Sequence, residues 1–271
     1  MRVWILGSGS AGNAVLIECG DSRVLVDAGF GTRTLAGRLR AIDVAPASIE
    51  ACIVTHEHND HVKGAAMGAK KWGWSLFASH GTVAACPELA AAGCTRVDAG
   101  KVVSLSRMTF TTALVPHDAV SPVAVKVTSS SSGATAVVCT DLGHVTTTVR
   151  ALCSDADILV LESNHDEGML RAGPYPPSVQ ARIGGRAGHL SNRASALLAR
   201  DVVNRNLAHV VLAHLSEHCN DHGIAHGTMA GALRTTRFRG ATSLGMQHGV
   251  VGPFVPRATR AEAPQQYMLA L

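Results

Sequence analysis

Short apolar runs broken by Gly-rich or polar turns fill the first third of the chain. Residues 3–6, Ala14–Cys19 and residues 23–26 have the length and β-branched content of strands. Residues 32–39 read as a helix, and Ala51–Val54 as a short buried strand that delivers the chain to Thr55 and His56. Residues 62–71, rich in Ala and Lys, predict a helix weakened by Gly64 and Gly68. A strand at Ser75–Ala78 and a helix over residues 82–92 continue the alternation. Four strands follow at residues 102–105, 109–115, 122–128 and Thr135–Cys139. Next come a helix at 145–153, a buried strand at 158–161, a helix at 192–203 that Ser191 can cap, and a buried strand at 209–212. Residues 221–234 read as a helix despite Gly223 and Gly227. Beyond Ala241, strands give way to a Pro- and Ala-rich tail, loose from about residue 255. With no linker and no low-complexity block, residues 1–271 are expected to form a single α/β domain, two packed sheets with helices outside.

A hydrophobic content of 46% over 271 residues allows a large core that needs no covalent staples. No run of 18 apolar residues predicts a membrane span. The opening ten residues lack a basic segment followed by a long apolar stretch, so no secretory signal is expected. The seven cysteines are odd in number and form no CxxC pair, and Cys52 and Cys139 sit inside apolar runs. Buried reduced thiols, and therefore a cytoplasmic setting, fit this better than disulfides. The charge of +4 is only mildly basic, short of a nucleic-acid-binding tail, whereas fourteen histidines are many.

Those histidines concentrate in Thr55-His56-Glu57-His58-Asn59-Asp60-His61, directly after a buried strand. On extended backbone, residues two apart project to one side, so His56 and His58 can reach one metal. Asp60 and His61, where the chain turns into a helix, can reach a second. Two metals about 3.5–4 Å apart form a common hydrolytic arrangement. Imidazole with carboxylate favours zinc, manganese or iron over calcium or magnesium. The competing reading is a polar loop with solvated histidines, which this density of ligand-type residues at a strand end disfavours.

The segment resembles the HxHxDH motif of the metallo-β-lactamase superfamily. Further segments are similar to that family's other motifs, in order: Val26-Asp27-Ala28-Gly29, Val115-Pro116-His117, Thr140-Asp141 and Ala213-His214. The resemblance implies a four-layer αβ/βα sandwich. It implies His56, His58 and His117 on one metal, Asp60, His61 and His214 on the other, Asp141 between them, and Asp27 supporting the loop from behind. Two divalent ions are implied, zinc foremost with manganese or iron as substitutes, and a metal-bridging hydroxide as nucleophile. Leu6-Gly7-Ser8-Gly9-Ser10-Ala11-Gly12-Asn13, residues 117–123, Leu161-Glu162-Ser163-Asn164-His165-Asp166 and Gly188-His189-Leu190-Ser191-Asn192 resemble the YycJ/WalJ-type, exonuclease-like branch.

That branch implies a phosphodiesterase, a 5′-to-3′ DNA exonuclease, with nucleic acid as partner and no membrane. Asp60, besides ligating, and His189 are the expected catalytic residues, His189 as a proton donor to the leaving group or a phosphate contact. Ser8 and Ser10 on the Gly-rich turn, with Asn164, His165 and Asn192, are candidate substrate contacts. Arg182, Arg186, Arg193 and Arg200 surround the His189 segment and offer phosphate contacts or a solvated basic surface. His214, His218, His222 and His226 recur every four residues, and the last three can share a helix face. A thioester or lactone hydrolase of the glyoxalase II or lactonase type would use the same ligands. A di-iron redox protein would need a flavin domain, and a non-catalytic metal-holding regulator would leave the open coordination position unused.

Overall fold

The computed structural model describes residues 1–257; the remainder of the expected tail lies outside the described residues. Its strands are β1 (Arg2–Gly7), β2 (Ala14–Cys19), β3 (Ser22–Val26), β4 (Ala51–Val54), β5 (Ser75–Ala78), β6 (Thr95–Arg96), β7 (Val102–Ser104), β8 (Met108–Leu114), β9 (Val123–Ser129), β10 (Thr135–Cys139), β11 (Ile158–Glu162), β12 (His209–Ala213), β13 (Ala241–Leu244) and β14 (Val251–Phe254). Its helices are α1 (Thr32–Arg40), α2 (Asn59–Val62), α3 (Ala65–Trp72), α4 (His80–Ala85), α5 (Pro87–Ala91), α6 (Thr147–Cys153), α7 (Glu167–Ala172), α8 (Pro177–Ile183), α9 (Asn192–Asp201) and α10 (His222–Arg234).

The strands form two sheets in the orders β14-β1-β2-β3-β4-β5-β6 and β13-β12-β11-β10-β9-β8-β7. In the first, β14 to β3 pair antiparallel and β3 to β6 parallel. In the second, β7 to β10 pair antiparallel and β10 to β13 parallel. Each sheet is thus a meander fused to a parallel half, and the parallel halves require helical crossovers.

Alternation along single strands assigns the layers. Val3 and Ile5 of β1 meet Val125, Val138 and Val160 between the sheets, whereas Trp4 and Leu6 meet Leu35 and Leu39 of α1. Ile158 and Val160 of β11 join the shared core, whereas Leu159 and Leu161 pack under the helices of the second sheet with Leu198 and Met229. Strands buried on both faces must be apolar throughout, which is why they stand out as unbroken apolar runs. The four layers expected from the resemblance are present, with one core between the sheets.

Several elements differ from expectation. The helix expected at 62–71 is two, α2 and α3, because the chain turns at Gly64, where a Cβ would lie 2.2 Å from the Phe30 carbonyl oxygen. The helix expected at 82–92 is also two, α4 and α5, because Pro87 has no N–H to continue the first and instead starts the second. Helices α7 and α8 lie in a stretch without clear periodicity. In α7 the start is set by Asp166, whose carboxylate accepts the amides of Gly168 and Met169. Among the described residues no helix is long and apolar enough to cross a membrane.

Candidate metal centre

β3 and β4 are parallel neighbours, so their carboxyl ends lie side by side. Asp27, just past β3, adopts a left-handed φ of 63° that turns the chain off the sheet. Its carboxylate accepts the Thr55 amide at 2.8 Å, the Thr55 hydroxyl at 2.9 Å and His61 Nδ1–H at 2.8 Å. The His56–His61 loop is also tied by its backbone. Ala28 N–H donates to His61 O (2.9 Å), Asn13 N–H to Asp60 O (2.7 Å) and Gly29 N–H to Asn13 O (2.9 Å). This zipper needs glycine at position 29, where a Cβ would sit 1.7 Å from Asp60 O. With Nδ1 held by Asp27, His61 presents Nε2 to the interior, 3.4 Å from Asp60 Oδ2 and 3.1 Å from Asp141 Oδ2.

The remaining residues arrive singly. His117 follows β8, Asp141 follows β10, and His214 follows β12; Asp141 (φ 56°) and His214 (φ 54°) repeat the left-handed turn of Asp27. His117 Nδ1–H donates to Gly188 O at 3.0 Å, and its Nε2 lies 3.3 Å from His58 Nδ1 and 3.8 Å from Asp141 Oδ1. His214 Nε2 lies 3.4 Å from Asp60 Oδ2. Four donor sets result, each with its atoms mutually within 4.8 Å: His56, His58 and His117; His56, His61 and Asp141; Asp60, His61 and His214; and Asp141, Glu162, His189 and His214.

The donor set fits divalent cations. His56 Nε2 and Asp141 Oδ2 are buried without a hydrogen-bond partner, and such unmet polar atoms are costly unless something else binds them. Burial and the neighbouring His61 push the His56 pKa well down, leaving it a neutral, ligand-ready imidazole. Burial also opposes charge on His61 and His214, but Asp141, with Asp27 at His61 and with Asp60 and Glu162 at His214, outweighs it. The pKa of His61 rises well above the ordinary value and that of His214 to about 10. Burial likewise works against the Asp60 and Asp141 carboxylates, yet the adjoining imidazoles hold both well below the usual range. The site therefore concentrates buried negative charge that protons on imidazole offset, and cations can take their place.

Glu162, which lies in a segment that resembles the exonuclease-like branch but was given no role there, closes the site from below. Its Oε2 accepts the amides of Leu142 (2.8 Å) and Leu190 (3.0 Å), and its Oε1 accepts Nδ1–H of His189 (2.8 Å) and His214 (3.1 Å). With both oxygens occupied, Glu162 orients two imidazoles rather than offering itself as a ligand. Burial would raise its pKa, but His189 and the donors lower it to about 2. The signal was there, a carboxylate ending the otherwise apolar run Ile158–Glu162. Thr55 and Asn13 lie inside segments singled out in the sequence but had no role assigned there; the Asn13 side-chain amide lies 3.1 Å from His61 Nε2.

Around the metal donors lies a cleft of about 200 Å³ whose walls include Ser10, His58, Asp118, Arg182, His189 and His214. Arg182, reaching across from α8, donates from Nε to Asp118 at 2.6 Å. Of the candidate substrate contacts, Ser10 and His189 line this cleft. Ser8 is buried, and its hydroxyl accepts the His214 amide at 2.7 Å. The turn's amides at Ser8, Gly9, Ala11 and Gly12 go to protein acceptors, so of the expected anion contacts on this turn it is Ser10, at the cleft, that stays available. Asn164 donates to His214 O at 2.9 Å, and Asn192 is engaged by Ser163 and Asn220. His165 is buried away from this cleft. The expected shared face of His218, His222 and His226 does not form. Asp221 caps α10 by accepting the amides of Gly223 and Ile224, so His218 precedes the helix and stacks near Tyr175, while His226 meets Thr242.

Comparison with known proteins gives a consistent result. The family described as "Beta-lactamase superfamily domain" matches residues 22–215. Exodeoxyribonuclease WalJ of Streptococcus pneumoniae is 32% identical over 237 residues, covering 84% of this chain and 87% of the relative. Exodeoxyribonuclease YycJ of Bacillus anthracis is 30% identical over 240 residues, covering 86% and 89%. Among solved structures, the metallo-β-lactamase fold protein YhfI from Bacillus subtilis superposes with a TM-score of 0.69 at 17% identity, covering 92% of this chain and 98% of that one. The short form of human tRNase Z gives 0.63 at 16%, covering 94% and 100%. At these identities the structures speak for the fold alone.

Proposed function

Because the chain belongs to the β-lactamase superfamily, with relatives named exodeoxyribonucleases along most of its length, we propose that it is a two-metal phosphodiesterase that degrades DNA from an end. The observation that carries this reading is the convergence of the donor sets on one cleft that also contains His189, whose Nδ1–H is engaged by Glu162 and whose Nε2 is therefore left for the substrate. His56, His58 and His117 would hold one cation, Asp60, His61 and His214 the other, with Asp141 between. Zinc suits this imidazole-rich set best. When bound, the cations supply a water acidified towards neutrality and positive charge for the phosphoryl oxygens.

The chain's own groups do the rest. Asp27 and Glu162 fix the rings of His61, His189 and His214 through Nδ1, so that Nε2 is the working nitrogen of each. Asp60 stands where it can accept a hydrogen bond from the attacking water. Burial disfavours the His189 imidazolium, but the charge and hydrogen bond of Glu162 outweigh that and raise its pKa. His189 is thereby a proton donor for the oxygen that departs from phosphorus. Arg182 at the cleft wall provides a cation for a non-scissile phosphate. All seven cysteines are unpaired, which supports a reducing, cytoplasmic setting, and the core shared by both sheets supports a single domain.

The test is metal-loaded protein offered duplex DNA, single-stranded DNA, bis-p-nitrophenyl phosphate and a thioester. Hydrolysis of DNA and the small diester with the thioester left intact is expected. Turnover of the thioester alone would replace this reading with a glyoxalase II-type hydrolase.

A further inference from the structure

His189 separates two spaces. One face belongs to the metal cleft; the other borders a second cavity of about 300 Å³ between α7, α8 and the start of α9. Leu170 and Ala194 give this cavity an apolar lining, Glu167, Ser191 and His165 a polar one, and Arg171 stands at it as a solvent-exposed cation. His165 is 3% exposed, and its Nδ1 has no hydrogen-bond partner. The backbone that carries the ring is held, since His165 O accepts the Asn192 amide at 2.8 Å. A buried imidazole with unused hydrogen-bonding capacity, placed at a cavity wall, is otherwise an uncompensated cost.

This combination matches a nucleoside. Small-ligand sites are mainly apolar with a few fixed polar groups, and this volume lies at the lower end of their range of roughly 300–1,000 Å³, enough for one nucleotide rather than a length of strand. An apolar surface suits the faces of base and sugar, the imidazole suits an edge, and the guanidinium suits a phosphate; the Ser191 hydroxyl is already spent on Glu167 and the Ala194 amide.

We infer that this cavity seats the terminal nucleoside of the strand, the group released at each cut; this rests on the phosphodiesterase reading above. The position of His189 then has a direct consequence. The oxygen of the attacking water bonds to phosphorus while its proton leaves to solvent. The bond from phosphorus to the terminal nucleoside's oxygen breaks, and that oxygen takes the His189 proton. The freed group remains in the cavity as an alcohol and the shortened strand keeps the phosphate. A cavity for one unit makes the cut one nucleotide from the end.

The test is calorimetric titration of the whole, metal-loaded chain with deoxyadenosine monophosphate, paired with turnover of DNA relative to bis-p-nitrophenyl phosphate, which has no nucleoside to seat. Ala194→Phe, which fills the cavity, and Arg171→Gln, an exposed change that spares the core, should each weaken mononucleotide binding by about tenfold or more. Ala194→Phe should lower the ratio of DNA to small-diester turnover by a similar factor. Unchanged binding in both variants, or an unchanged ratio in Ala194→Phe while the wild type digests DNA, would overturn the inference alone. A wild type that cleaves the small diester but no DNA would overturn the DNA reading and the inference with it.

Discussion

The two halves of the metal centre are built in opposite ways. The first sheet contributes four donor residues, His56, His58, Asp60 and His61, from one loop after β4, zipped by backbone hydrogen bonds to the turns at Asn13 and Asp27–Gly29. The second sheet contributes His117, Asp141 and His214 one at a time, each beyond a different strand and 24 and 73 residues apart along the chain, by subtraction of their numbers. A contiguous loop fixes its donors by local geometry. Dispersed donors meet only because β8, β10 and β12 run the same way, two antiparallel pairings joining β8 to β10 and two parallel ones joining β10 to β12. The same device ends three strands on the two sheets: a residue other than glycine with left-handed φ, at Asp27, Asp141 and His214. Such backbone costs on the order of 1 kcal/mol or more per residue and persists where surrounding contacts over-determine it. Here those contacts are the hydrogen bonds and charges of the site itself.

The largest expected effect breaks the bridge between the halves. Asp141→Ala removes the carboxylate proposed to lie between the two donor groups, and His56→Ala removes the neutral imidazole found both with His58 and His117 and with His61 and Asp141. Either should reduce metal content, read by elemental analysis, and bring hydrolysis to background. Full metal content in Asp141→Ala would show that the loop suffices without the second sheet.

His189→Gln comes next. It should keep its metal and lose about 10²–10⁴-fold in turnover, the usual worth of a positioned proton donor. Bis-p-nitrophenyl phosphate, whose leaving group needs no proton, should suffer least, and equal loss on both substrates would argue against proton donation. Asp27→Ala tests the loop's own support. Losing the acceptor of His61 and Thr55 should weaken metal binding by roughly 10–100-fold, measured by competition with a chromophoric chelator.

A comparison that needs no substitution separates the halves by pH. His56 and His117 have depressed pKa values, chiefly from burial, and give up no proton on ligation near neutral pH. His61 and His214, raised by the neighbouring carboxylates, the latter to about 10, must each release one. Since protons compete with metal there, uptake by the Asp60–His61–His214 group should tighten as pH rises from 7 towards 10 and weaken as it falls, by up to about tenfold per unit for each proton displaced. Uptake by the His56–His58–His117 group should vary little over that window. Two metal-binding phases with the same pH slope would contradict the assignment.

What was legible in the sequence follows the same division. The His56–His61 loop announced itself, because four ligand-type side chains directly after a buried strand suit a metal and little else. His117, Asp141 and His214 are each an ordinary residue after an ordinary strand, visible only through resemblance to a family with known motif order. Glu162 stood out locally as a carboxylate ending an apolar strand, but its role was not legible, because that role lies in accepting four N–H groups from residues distant in sequence. Helices α7 and α8 left no periodic trace, since only Leu170 is buried in α7 and no residue is buried in α8. The return of β14 to the edge beside β1 is a fact of topology. Its segment, Val-Gly-Pro-Phe, carries a proline that a central strand would exclude but an edge tolerates.

The central claim, that separate strand ends gather a pair of cations, is tested most directly by elemental analysis of the full chain after equilibration with zinc and removal of loosely bound ion. The account predicts about two equivalents per chain in the wild type, falling to about one or less in His214→Ala, which leaves the His56–His58–His117 group intact. Absence of bound transition metal in the wild type, or two equivalents persisting when both His117 and His214 are replaced by alanine, would contradict it.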